Sequence, residues 1–197
     1  MNVRAWLAAS AFTFCLPALA ITAGQSAPDF SAADTQGWAV KLSALKGKYV
    51  VLEWTNPECP FVRNQYNAKS MQSVQGEWAQ RVVWLSINST SEASGEFKTP
   101  AKMNQWMQAQ GAAQTAIVVD GRSEIARAYA AKTTPEMVVI DPAGTVIYAG
   151  AIDDRPTTRA EDTKNAHNYV RSALTEATGG RAVSRPNTTS YGCSIKY

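Results

Sequence analysis

Residues 49–60 read Tyr49-Val50-Val51-Leu52-Glu53-Trp54-Thr55-Asn56-Pro57-Glu58-Cys59-Pro60, an apolar run that ends on turn residues and a cysteine-proline pair. The β-branched and aromatic content of 49–54 suits a buried strand. Pro60 has no N–H to lose in a first helical turn, so a helix is expected to open there. Phe61, Tyr66, Met71, Val74 and Trp78 carry its apolar face to about Gln80. Val82 to Ile87 is a second apolar strand. Strand, long helix, strand makes a βαβ unit, which requires the two strands to run parallel.

The rest of the chain extends this unit. Ala27-Pro28-Asp29-Phe30 is an extended entry, and 37–47 reads as a loop with a short strand. Pro100 opens a helix through Trp106 to about Gln110, where Gly111 stops it; 116–119 is a third strand and 123–130 a short helix. Thr133-Thr134-Pro135 leads into a strand at 137–140, a turn at Asp141-Pro142-Ala143-Gly144 and a hairpin partner at 145–148. A last helix is expected from about Asp162 to Ala177, closed by Gly179-Gly180, and the tail from 180 to 197 shows no periodicity. There is no internal repeat and no low-complexity linker. The expectation is one α/β domain, a central mixed sheet flanked by helices over 21–179, followed by a C-terminal tail over 180–197.

Composition narrows the function. The chain has 197 residues, 45% hydrophobic and 18% charged, which is ordinary globular composition and excludes disorder, collagen and coiled coil. Its net charge of +3 comes without a run of five or six like charges, so nucleic acid is not an expected partner. With a single histidine, His167, neither a Ser-His-Asp hydrolase nor a multi-histidine metal centre is served. Met1 to Arg4 is short and basic, Ala5 to Leu16 is apolar, and Pro17 precedes Ala18-Leu19-Ala20, a small-x-small cleavage pattern. We read residues 1–20 as a secretory signal peptide, too short to leave a stable span, and expect a periplasmic or secreted product. Cys15 would leave with that segment, so two cysteines remain, Cys59 and Cys193, where thiols can be oxidised.

Cys59 falls between a strand end and a helix start. Unpaired N–H groups and the positive end of the helix dipole favour a thiolate there, and Arg63 lies one turn on. A buried, inert cysteine is the competing reading. Thr134-Pro135 before a strand suggests a turn, and a cis bond would present the Thr134 backbone to a partner, although most X-Pro bonds are trans. His167 reads as a solvated or capping side chain, Asp153-Asp154-Arg155 as a solvated loop, and the six tryptophans as core or partial surface.

Taken together, Ala27-Pro28-Asp29-Phe30, Gly47 to Pro60 and Thr133-Thr134-Pro135-Glu136 resemble the thioredoxin-like redoxins, which include peroxiredoxins and exported thiol-disulfide oxidoreductases. Gly150-Ala151-Ile152-Asp153-Asp154-Arg155 and Gly192-Cys193-Ser194-Ile195-Lys196-Tyr197 narrow the resemblance to bacterial peroxiredoxin-like, AhpC/TSA-related exported redoxins. The resemblance implies a thioredoxin-like fold, Cys59 as the redox cysteine, and Pro135 as a cis-proline facing it. We expect Thr134, Pro135, Asn56, Pro60 and Arg63 to hold a partner, with no cofactor and no metal. Two positions depart from the pattern. The residue three after Cys59 is Val62, so the C-x-x-C partner is missing; Leu52 and Asn56 stand where peroxiredoxins carry a proline and a hydroxyl residue.

The expected activity is an exported thiol-disulfide oxidoreductase. Cys59 attacks a protein or small-molecule disulfide, Cys193 is the substitute resolving thiol, and an external donor supplies electrons. A bridge between them requires Cα atoms within about 7 Å. The alternatives are a thiol peroxidase acting on a peroxide, a soft-metal module in which Cys59, Cys193 and His167 hold or chaperone Cu(I), and an inert structural disulfide.

Overall fold

The computed structural model describes residues 20–197; the expected signal peptide and Cys15 lie outside the described residues, apart from Ala20. Two short strands, β1 (Ser31–Ala33) and β2 (Ala39–Lys41), pair antiparallel at the entry. Next come β3 (Tyr49–Trp54), α1 (Pro60–Asn67), α2 (Ser70–Trp78) and β4 (Val82–Asn88). They are followed by α3 (Pro100–Gln110), β5 (Ala116–Val119), α4 (Glu124–Tyr129) and β6 (Thr133–Thr134). The chain closes with β7 (Glu136–Ile140), β8 (Val146–Gly150), α5 (Ala160–Lys164), α6 (Tyr169–Thr178) and β9 (Cys193–Ser194).

The main sheet runs β5-β4-β3-β7-β8. β3 lies parallel to β4 and antiparallel to β7, which makes the sheet mixed, as the βαβ and hairpin readings require. Alternation along β3 feeds two cores. Val51 faces Val62, Tyr66, Val74, Trp78, Met103 and Leu174, while Val50, Leu52 and Trp54 face Ile125, Tyr129 and the far side. Burying each such aliphatic side chain contributes about 1.5–3 kcal/mol. Both faces of β3 are thereby covered by helices, which fixes its C-terminal end and everything that leaves from it.

The expected single helix from Pro60 to Gln80 is two helices, α1 and α2. Lys69 takes a left-handed conformation at φ 60°, and the Tyr66 carbonyl accepts from Lys69 N at 3.1 Å and from Gln72 Nε2 at 2.9 Å. The last expected helix is likewise divided into α5 and α6, because Asn168 leaves the helical path to accept from Arg171 N at 2.8 Å and so starts α6. α3 matches its sequence signals: Thr99 caps it, Pro100 occupies the first position, and Gly111 ends it at φ 66°. In the β7-β8 turn Asp141 Oδ1 accepts from Ala143 N and Thr145 N. The tail, without periodicity in sequence, contributes β9, which pairs antiparallel with β6.

Candidate functional site

β3 delivers the chain to a tight turn. Asn56 Oδ1 accepts from Glu58 N at 2.9 Å and the Asn56 carbonyl from Cys59 N at 3.0 Å, so the chain reverses direction and enters α1 with Cys59 as its N-cap. Asn56 Nδ2 donates to Glu96 at 3.0 Å. The Asn56 side chain is therefore engaged at both polar ends, by the turn and by Glu96. Arg63 Nε donates to the Pro57 carbonyl at 2.6 Å, and its guanidinium pairs with Glu58, which Lys98 also meets at 2.6 Å. Lys98, then Arg63, hold the Glu58 carboxyl below the usual range. The field expected from Arg63 is thus largely answered by Glu58.

Opposite the helix start lies the β6-β7 junction. The Thr134–Pro135 peptide is cis, and the Thr134 carbonyl oxygen sits 3.0 Å from Cys59 Sγ. β9 runs along β6 in a register that places Cys193 beside Thr134. Cys59 and Cys193 form a disulfide with Cα atoms 5.8 Å apart across 134 residues of chain. Cys59 and Thr134 are buried, whereas Pro60 is exposed and Cys193 is partly exposed. Of the residues expected at the site, Cys59, Cys193 and Thr134 converge directly; Asn56 and Arg63 shape the approach turn instead.

The tail reaches this point because it is stitched along its length. The Pro186 carbonyl accepts from Ala149 N, and Thr188 Oγ1 meets Tyr148 Oη at 2.6 Å and Ala151 N at 3.0 Å. Tyr191 Oη donates to Asp153 at 2.5 Å, Gln65 Nε2 reaches the same carboxylate at 2.6 Å, and the Tyr191 ring packs edge-on against Phe61. Burial and the neighbouring Asp153 charge push the Tyr191 phenol well up. Beyond the bridge, Ile195 is buried and donates to the Lys132 carbonyl, and Tyr197 hydrogen-bonds the Ala131 carbonyl. Gly192 stands at φ +136°, and a Cβ there would land on the Thr134 carbonyl. Only glycine lets the two backbones approach so closely.

Contrary to the solvated loop that its sequence suggests, Asp153 is buried, at 1% exposure, and accepts from Tyr191 and Gln65. A second buried carboxyl escaped the sequence reading altogether. Glu53 is fully buried and accepts from Tyr66, Gln75, Trp84 and Ser86 at 2.8–3.1 Å. Burial pushes its carboxyl up, and those four donors oppose the rise. The available signal was one charged residue inside an apolar strand. His167 is exposed and meets Ser172 Oγ at 3.2 Å. Among the described residues no three His, Cys, Asp or Glu side chains form a group able to hold a metal ion. No described helix is long and apolar enough to cross a membrane.

A family model described as the AhpC/TSA family matches residues 23–149. The thiol-disulfide oxidoreductase ResA of Bacillus subtilis (strain 168) is 28% identical over 134 residues, which span 64% of this chain and 66% of that protein, just under two thirds of its length. A hypothetical protein of Sinorhizobium meliloti 1021 superposes with a TM-score of 0.79 at 25% identity, covering 91% of this chain and 96% of the other. The thioredoxin domain of a thiol-disulfide oxidoreductase from Bacteroides vulgatus superposes at 0.54 with 17% identity, over 74% of this chain and 95% of that one; this likeness places the fold as thioredoxin-like.

Proposed function

Because the chain belongs to the AhpC/TSA family, we propose that it is an exported thiol-disulfide oxidoreductase of the thioredoxin-like redoxins, cycling Cys59 and Cys193 between disulfide and dithiol. The observation that carries this reading is the bridge itself, set at a helix start and against the strand that ends in Thr134. α1 favours a thiolate on Cys59, and Cys193 stands where a second sulfur can close the pair. One turnover transfers two electrons. The dithiol and a partner disulfide become the protein disulfide and two partner thiols, and an external thiol donor reverses the change. Partners are protein or small-molecule thiols and disulfides, held beside Thr134, Pro135 and Pro60. Export rests on the basic, apolar and small-residue order of residues 1–20.

Asn56 favours disulfide over peroxide chemistry. It occupies the position of the peroxide-orienting hydroxyl, and its amide is committed to Glu58 N and Glu96. The test pairs two assays on the reduced protein: reduction of a model disulfide and consumption of hydrogen peroxide. Disulfide turnover that Cys59→Ser abolishes, with an unchanged circular dichroism spectrum, supports the proposal. Peroxide consumption without disulfide turnover replaces it by a thiol peroxidase.

A further inference from the structure

The two sulfurs of the bridge are not equivalent. Cys59 is 1% exposed and belongs to the core cluster with Val62 and Tyr66, with the Thr134 carbonyl 3.0 Å from its sulfur. Cys193 is only partly buried, lies on a two-residue strand, and is followed by the exposed Ser194. Thiol-disulfide exchange requires the incoming thiolate to reach the sulfur it attacks, and the displaced sulfur to leave as thiolate. As whole residues, Cys193 keeps partial exposure to solvent while Cys59 keeps almost none. The helix start meanwhile favours negative charge on Cys59 as it leaves.

Resting on the reading that this pair is redox-active, we propose that Cys193 is the interchange cysteine that meets partners and that Cys59 is the internal thiolate that resolves. This inverts the order implied by the family resemblance. A donor thiolate RS⁻ attacks Cys193 Sγ; the R–S bond to Cys193 forms, the Cys59–Cys193 bond breaks, and the electron pair leaves on Cys59. A second donor thiolate then displaces Cys193, giving R–S–S–R and the reduced pair. Cys59 takes up a proton with the Thr134 carbonyl as its acceptor, and Cys193 takes up the other. In the oxidising direction the same path runs backward. The Cys193 thiolate forms the mixed disulfide with a partner, and Cys59 attacks Cys193 Sγ, closing the bridge and expelling the partner thiolate.

This order needs Cys193 to keep its place when the bridge is open. The tail supplies that independently of the bridge, through Tyr191 on the Asp153–Gln65 pair before it and buried Ile195 after it.

The experiment uses the full-length protein with an aromatic disulfide, 5,5′-dithiobis(2-nitrobenzoate), and follows thiolate release with Cys59→Ser and Cys193→Ser side by side. Peptide mapping assigns the adduct. Cys59→Ser is expected to form a stable adduct at Cys193 at least tenfold faster than Cys193→Ser forms one at Cys59. In the oxidised wild type, a brief pulse of 2-mercaptoethanol quenched with acid should leave its adduct on the Cys193 peptide. Equal or faster reaction at Cys59, or a wild-type adduct on the Cys59 peptide, overturns the order while leaving the redox pair intact. A bridge that 2-mercaptoethanol opens only after denaturation overturns the redox reading and this inference with it.

Discussion

Replacing Glu53 with glutamine and, separately, with leucine measures what the buried carboxyl does for the fold. Its Oε2 accepts from Trp84, Ser86 and Gln75 at 2.8, 3.0 and 3.1 Å, and its Oε1 from Tyr66 at 2.9 Å. A glutamine oxygen in the first position keeps three of these bonds. It loses their charge assistance but also the cost of burying a charge, so the expected loss is under about 2 kcal/mol. Leucine leaves Trp84, Ser86 and Tyr66 without an acceptor, whereas Gln75 retains the Tyr66 oxygen at 3.3 Å. Three orphaned donors at about 1–3 kcal/mol each sum to roughly 3–9 kcal/mol, against a whole-domain stability of about 5–15 kcal/mol. The pH dependence separates the variants further. Burial raises the Glu53 carboxyl above its ordinary value of 4.5, so from there up to its folded value the native state binds more protons than the unfolded chain. Stability must therefore fall as pH rises through that window, and the glutamine variant must lack this component. Urea unfolding followed by tryptophan fluorescence, with the bridge intact and from pH 4.5 to 8, reads both effects. A leucine variant as stable as the wild type, or parallel pH curves for wild type and glutamine, refutes the reasoning.

Gly192→Ala places a Cβ against the Thr134 carbonyl at positive φ, a conformation costing about 1–3 kcal/mol, and relief requires the tail to withdraw from the bridge. The dithiol should gain roughly 5- to 150-fold over the disulfide in a fixed glutathione buffer, read by alkylation and mass. Ile195→Ala removes the buried anchor after Cys193 and should cost about 2–5 kcal/mol, with the reduced tail becoming sensitive to limited proteolysis; an unchanged proteolysis rate argues against Ile195 as the anchor. The mature protein should have a mass beginning at Ile21; a mass that retains Met1 to Ala20, recovered with membranes, removes the export proposal.

Much of the fold is local enough to be written in sequence. The apolar run 49–54, the Cys59-Pro60 helix start, the parallel strand at 82 and the hairpin at Asp141-Gly144 each depend on neighbouring residues and their backbone preferences, and each recurs in the structure. The divided helices were less legible. Lys69 takes a left-handed conformation without being glycine, and Asn168 caps α6 within what periodicity reads as a continuous helix.

The sequence by itself pointed to an α/β fold and to two cysteines after the apolar segment 5–16, with the first at a helix start. Tertiary structure decided what surrounds them. Glu53 looks like a misplaced charge until Tyr66, Gln75, Trp84 and Ser86 meet it from α1, α2 and β4. Asp153 looks solvated until Tyr191 arrives from 38 residues away. The tail shows no pattern because its one regular stretch, β9 on β6, is only two residues long. Its path comes from single contacts at Thr188, Tyr191 and Ile195, and from a glycine that lets two backbones touch. Burial of a charge, and access to a sulfur, depend on which distant groups fold over them, and spacing along a chain does not encode that.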